Sequence, residues 1–269
     1  MFLVLSNLVG GIIAKNHIQI ITMILFALFY SLLCIFGTWL ERKNMKENFV
    51  HICAIIDESG SMYSSREDVV GGFKKMIEEQ KKEKKGSCAV SLYRFATTVK
   101  KDFVGKDVNE ITDLKYEPSG LTAMNDGIGM AITEIGKWLA DMKEEERPSK
   151  NIIVIMTDGV ENNSREYNFE SVKKMIQHQE NKYDWTFIYM GCDITNTDDV
   201  KKLGIKMSRF STKNDLTENY TFLSNSTSMY RSVSCASDAK ATMDWLQNEC
   251  DVQNIKYESQ KGIKLNLNE

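Results

Sequence analysis

Three short segments of this 269-residue chain set oxygen-bearing side chains among small residues: Asp57-Glu58-Ser59-Gly60-Ser61, Gly120-Leu121-Thr122-Ala123 and Thr157-Asp158-Gly159. Brought to one point, Asp57, Ser59, Ser61, Thr122 and Asp158 would form an oxygen-only donor set. Such a set suits a hard cation, Mg2+, Mn2+ or Ca2+, and does not suit zinc, which favours nitrogen and sulfur. Two carboxylates balance one divalent charge, and neutral hydroxyls complete most of the shell without adding negative charge. In octahedral geometry at least one position stays with water. An acidic side chain from a protein partner could take that position.

Each segment needs a rigid element to present it, and the surrounding sequence supplies one. Phe49 to Ile56 is an apolar run that ends at Asp57, and Asn151 to Met156 is another that ends at Thr157-Asp158. Runs this continuous are expected of strands covered on both faces. Further strands are predicted at Ala89 to Phe95, with a hairpin partner around Val99 to Val104, at Trp185 to Met190 and near Ile205 to Phe210. Between them the apolar residues recur at helical spacing: Val69, Val70, Phe73, Met76 and Ile77 before Gly86, then Ile128, Ile132, Ile135 and Leu139, then a helix around Phe169 to His178 and one within Asp215 to Ser234. Six strands alternating with amphipathic helices predict an α/β fold, a Rossmann-like, doubly wound and mostly parallel sheet with one antiparallel edge strand. Ligands of such sheets bind beyond the carboxyl ends of the strands, near the point where the strand order reverses. That is where the Asp57 and Asp158 segments fall.

The same residues carry a family resemblance. Asp57-x-Ser59-x-Ser61, followed in order by Thr122 and Asp158, resembles the metal-ion-dependent adhesion site of von Willebrand factor type A (vWA) domains, and the TDG string after an apolar strand looks like that family's fourth strand. The resemblance spans roughly residues 48–235. With Val69 to Phe73 (VVGGF), Thr157 to Glu166 (TDGVENNSRE) and Phe187 to Gly191 (FIYMG), the chain is similar to the stand-alone A domains of bacteria and phages. The resemblance implies that Ser59, Ser61 and Thr122 touch the ion through their hydroxyls, and that Asp57 and Asp158 hold it directly or through water. It also implies a binding function, adhesion or scaffolding, in place of catalysis. The sequence departs from the pattern at Leu121, where a second glycine is common, and at Glu58, which adds a negative charge beside the site.

Two other readings of these residues compete with this one. An isolated D-x-S-x-S string is as readily a turn with a helix cap, since Asp and Ser hydrogen-bond nearby amides; three strand-end segments in order make that reading much weaker. An aspartate ending the first strand is also similar to haloacid dehalogenase-like phosphotransferases, with Asp57 as a Mg2+-assisted nucleophile. There the second acid would fall at Ser59, which cannot act as a general acid near neutral pH. Glu161, Asn162 and Asn163 read as loop and helix cap, and His51 and His178 are isolated, so none is assigned to a metal or a reaction.

Composition bounds the rest. Hydrophobic residues make up 42% and charged residues 26% of the chain, as in folded globular proteins, and a net charge of −3 with interleaved signs points away from nucleic acid. Cys34, Cys53, Cys88, Cys192, Cys235 and Cys250 show no paired spacing, which reads as reduced thiols. Residues 1–47 are expected to be a hydrophobic anchor: 18–40 carry no charge and are long enough for a single transmembrane helix. The flanking basic residues would then leave the domain at 48–235 in the cytoplasm. If Met45 is the true start, the protein is cytoplasmic without an anchor. Residues 236–269 read as a polar tail, with Met243, Trp245 and Leu246 as a short docking helix.

Overall fold

The longest apolar runs become the middle of a six-stranded sheet. In the computed structural model, β1 (Lys46–Asp57) lies parallel to β4 (Pro148–Thr157), with Ile52 opposite Ile152 and Ile56 opposite Met156. On one side of this pair β1 runs parallel to β2 (Ser87–Phe95), which pairs antiparallel with β3 (Val99–Asp107). On the other, β4 runs parallel to β5 (Thr186–Cys192) and β5 to β6 (Met207–Ser211). The order β3-β2-β1-β4-β5-β6 is the mostly parallel sheet with one antiparallel edge that the sequence predicts. Its reversal point lies between β1 and β4.

Residues 23–31, 46–194, 197–233, 236–265 and 267 are described. The chain divides into two units, Met1–Met45 and Lys46–Glu269. In the first, residues 23–31 are helical; the remainder of the expected 18–40 span lies outside the described residues. Among the described residues no helix is long and apolar enough to cross a membrane.

Strand alternation divides the second unit's core in two. Val50, Ile52, Ala54 and Ile56 of β1 face one side with Ile152, Val154 and Met156, whereas Cys53 and Ile55 face the other with Ile153 and Ile155. The first side is covered by α1 (Arg66–Lys82) and α5 (Leu216–Arg231), the second by α2 (Met124–Asp141), α3 (Phe169–Tyr183) and the short α4 (Asp198–Leu203). Buried on both faces, these strands have no place for polar alternation, which explains why they read as continuous apolar runs.

The segment 236–269 departs from the polar tail expected of it. It forms a 26-residue helix, α6 (Ala236–Lys261), with Leu246, Cys250 and Tyr257 fully buried. Its amides also cover the free edge of β6: the Asn254 side chain accepts from Phe210 N at 2.8 Å and donates to Ser208 O at 2.8 Å, and Gln253 donates to Phe210 O at 3.3 Å. An open strand edge is thereby closed by side chains in place of a seventh strand. Cys53, Cys88, Cys192 and Cys250 are buried free thiols; Cys34 and Cys235 lie outside the described residues.

Candidate metal site

β1 and β4 end side by side, and this register decides what their last residues can do. Because Ile56 pairs with Met156, Asp57 and Thr157 stand next to each other, and the Thr157 hydroxyl donates to Asp57 Oδ2 at 2.6 Å. The other oxygen, Oδ1, accepts the Ser59 amide at 2.7 Å, so the chain turns sharply at the strand end. That turn enters a 3-10 segment, Gly60–Ser65, which points the Ser59 and Ser61 hydroxyls at each other, 3.0 Å apart. Ser61 then donates to Asp158 Oδ1 at 2.5 Å. Asp57, Ser59, Ser61 and Asp158 are thus one connected cluster.

Thr122 arrives from a third loop that is stitched to the other two. Gly60 N donates to Gly120 O at 3.1 Å and Ser119 N to Glu58 O at 2.8 Å. On the far side, Thr122 N donates to Asn162 Oδ1 at 2.9 Å, and Asn162 N returns to Thr122 O at 3.0 Å. Gly120 sits at φ +80°, with Thr97 packed where a side chain would begin, so this turn requires glycine.

Gly159 marks the common point. A methyl group built on its Cα would lie 3.4 Å from Thr122 Oγ1, 3.8 Å from Asp57 Oδ2 and 3.8 Å from Ser61 Oγ. Three side-chain oxygens from two loops therefore surround one small space that the glycine of the third loop leaves open. The donors fit a hard cation: two carboxylates, three hydroxyls and no nitrogen or sulfur. Among the described residues no group of three or more His, Cys, Asp or Glu converges as a metal set, here or elsewhere, so the hydroxyls would have to supply the rest of any shell.

The charges around the space are unequal. Burial pushes the Asp57 carboxyl up to about 6, against the lowering effect of its Thr157 and Ser59 hydrogen bonds, and nearby Asp158 adds to the rise. A divalent ion would supply the counter-charge that burial withholds. Glu58, the extra acid of the sequence, does not face the space. Burial alone would raise its pKa, but the Glu117 amide at 2.8 Å, Lys100 at 3.0 Å and Arg94 at 2.6 Å hold the carboxyl below its ordinary value. Its charge is matched inside the fold by Arg94 and Lys100.

All five residues singled out from the sequence thus lie in this region, but several that shape it carry no motif. Thr157 orients Asp57, a role implied only by strand register. Glu161 accepts from the amides of Asn125, Asn163 and Ser164 at 2.7, 2.9 and 2.7 Å, and Asp126 accepts from those of Arg165, Glu166 and Tyr167 at 2.8, 2.9 and 2.8 Å. These carboxylates clamp the loop after Asp158 onto the start of α2. Lys213, just past β6, places its ammonium 2.6 Å from Asp158 Oδ2. Clusters of acids and amides in a ten-residue loop are the one sequence signal that could have indicated the clamp.

A doubly wound α/β domain with an oxygen-lined surface site at its reversal point is the class this arrangement defines. Residues 51–230 match the model of the von Willebrand factor type A domain, and the chain belongs to that family. Its fold is similar to proximal thread matrix protein 1 from the mussel byssus, at 15% identity over 67% of this chain and 46% of that one with a TM-score of 0.48. A von Willebrand factor type A protein from Catenulispora acidiphila matches at 13% identity, over 68% and 43%, with a TM-score of 0.48. The pilus adhesin SpaC from Lactobacillus rhamnosus GG, in its open conformation, matches at 12% identity, over 69% and 30%, with a TM-score of 0.54. The chain spans under half the length of each of these three. Comparison with curated proteins finds no match.

Proposed function

We propose that this domain is a protein-binding module that holds one divalent cation, Mg2+ or Mn2+ or else Ca2+, through Asp57, Ser59, Ser61, Thr122 and Asp158, and that a partner's acidic side chain completes the ion's shell. The observation that carries the reading is the convergence of Thr122, Asp57 and Ser61 oxygens within 3.8 Å of the point above Gly159. The ion's part is to offer a positive, replaceable coordination position at the surface. The chain's part is to hold the donors: β1 and β4 present the two acids, and the Gly60–Ser65 turn and the Thr122 loop present the hydroxyls.

Two features support a protein partner and binding in place of catalysis. Tyr63, Leu121 and Val160, each within two residues of a donor, are exposed large apolar side chains, and exposed apolar surface beside a charged site suits a protein interface. Both oxygens of Asp57 already accept hydrogen bonds, and Ser59 occupies the place of a second acid, so Asp57 is not set up as a nucleophile with general-acid help from that position.

The test is thermal. Mg2+ or Mn2+ at millimolar concentration should raise the melting temperature of the full chain, and Asp57→Ala or Ser59→Ala should remove the rise. An unchanged wild-type melting curve would refute the ion-binding reading. Capture of the partner with and without EDTA tests the rest, because a partner retained equally in both removes the ion from the mechanism.

A further inference from the structure

Lys213 stands where the proposed ion's charge would act. Its ammonium lies 2.6 Å from Asp158 Oδ2, and it donates to Ser61 O at 3.0 Å and to Ser64 Oγ at 3.3 Å. It thus joins the two loops that carry Ser61 and Asp158. The Asp158 side chain is 1% exposed, whereas that of Lys213 is 28% exposed. One end of the pair is fixed and desolvated, and the other has a path to solvent.

The anchor of the lysine is also fixed. Lys213 begins a single 3-10 turn, Lys213–Asp215, in which Thr212 Oγ1 donates to Asp215 Oδ2 at 2.7 Å, and Lys256 of α6 lies 3.9 Å from Asp215. The turn follows β6, two strands from β4, so its side chain reaches across the carboxyl end of β5 to meet Asp158. Although Asp158 Oδ2 is so close to the ammonium, it accepts no directed hydrogen bond. A divalent ion can take the ammonium's place at Oδ2 without displacing any other donor there, while the displaced ammonium exchanges its bonds to Ser61 O and Ser64 Oγ for water.

Resting on the ion-binding reading above, we propose that Lys213 sets the affinity of the site: its ammonium neutralises Asp158 when no divalent ion is held, and it gives way when one binds. Two cations compete for one carboxylate, and the tethered one is always present. Binding an ion therefore costs the Lys213–Asp158 attraction and adds repulsion between like charges a few ångströms apart. Moved outward, the same ammonium leaves the loaded site with an additional positive charge at its rim.

The experiment measures Mn2+ affinity calorimetrically and melting temperature in EDTA for the full chain and for Lys213→Met, Lys213→Gln and Lys213→Arg. Both neutral variants should bind Mn2+ roughly tenfold more tightly than the wild type while melting at lower temperature in EDTA, and Lys213→Arg should keep the wild-type affinity. Because Lys213→Gln retains a donor, it keeps the comparison usable if the methionine variant folds poorly. Equal Mn2+ affinity in the wild type and the neutral variants would overturn the lysine's role and leave the ion site standing. Absence of any Mn2+ binding, in the wild type and the variants alike, would overturn the site itself and this inference with it.

Discussion

Glu58, one residue past Asp57 in the chain, meets the Arg94 guanidinium of β2 at 2.6 Å with its side chain 1% exposed. Arg94 is held in turn by a two-pronged pair to Asp102 of β3, at 2.6 Å on each prong. The three residues tie β1, β2 and β3 together at the end of the sheet that carries the donors. Lys100 and the Glu117 amide close the remaining acceptor positions of Glu58.

Removing this acid should therefore be costly. Glu58→Ala is expected to destabilise the domain by about 3 kcal/mol, the lower end for a broken buried ion pair, because Asp102 still compensates Arg94. Glu58→Gln, which keeps an acceptor for the Glu117 amide, should lose less. Urea unfolding measures both. A loss no larger than that for Glu117→Ala, an exposed acid, would mean that the pair does not stabilise the sheet.

A second expectation concerns pH. His51 is fully buried, and its rings of partners are all neutral: Asn151 Oδ1 at 3.1 Å from Nδ1 and Ser91 Oγ at 2.8 Å from Nε2, with Ser91 Oγ also accepting Gly105 N at 2.9 Å. Desolvation lowers its pKa from 6.5 to about 4, and the Asn151 hydrogen bond offsets only part of that. The unfolded chain thus takes up a proton that the folded chain refuses. Stability should fall as pH drops from 6.5 towards 4, by about 3 kcal/mol over the whole window, and level off below it. In His51→Gln that part of the slope should vanish even if the variant is less stable at every pH. An unchanged slope between pH 7 and 5 would show that His51 does not titrate in this way.

How far these features were legible in the sequence differs by element. β1, β4 and β5 announce themselves because both faces are covered and their residues are apolar without a break. Asp57, Ser59, Ser61 and Asp158 are legible because each lies at or just past the end of a strand, whereas Thr122, in the long loop between β3 and α2, is legible only through the motif it completes. The direction of Glu58 was not legible, since its partners Arg94 and Lys100 come from strands that only the folded register sets beside it. Lys213 is separated from Asp158 by two strands of the sheet order, so no spacing links them. α6 was legible only as a short docking helix around Met243, Trp245 and Leu246 because part of its inner face is polar: Gln253 and Asn254 are buried as partners of backbone, and an apolar count treats them as surface.

That polar inner face leads to a third expectation. Asn254 satisfies both an N–H and a C=O of β6, so Asn254→Ala leaves two backbone groups without partners and should cost about 1–3 kcal/mol. Deletion of residues 236–269 removes Leu246, Cys250 and Tyr257 from the core as well and uncovers the edge of β6. The shortened chain should aggregate in a concentration-dependent way, which light scattering detects. A shortened chain that stays monomeric and melts like the wild type would show that α6 is dispensable.

The sharpest test of the ion reading leaves every donor in place. At Gly159 an added methyl group meets its neighbours at 3.4 to 3.8 Å, ordinary van der Waals distances, so Gly159→Ala should fold and melt in EDTA within a degree or two of the wild type. The methyl would nonetheless fill the space between Thr122, Asp57 and Ser61. In the wild type, Mn2+ at one hundred times Kd stabilises by ~2.7 kcal/mol, or roughly 5–10 °C in a domain of this size. Gly159→Ala should lose that rise entirely, while Gly136→Ala, at a glycine with no atom near the added methyl, should keep it. Retention of the full Mn2+ response by Gly159→Ala would place any ion elsewhere, because oxygens separated by a methyl group cannot converge on one.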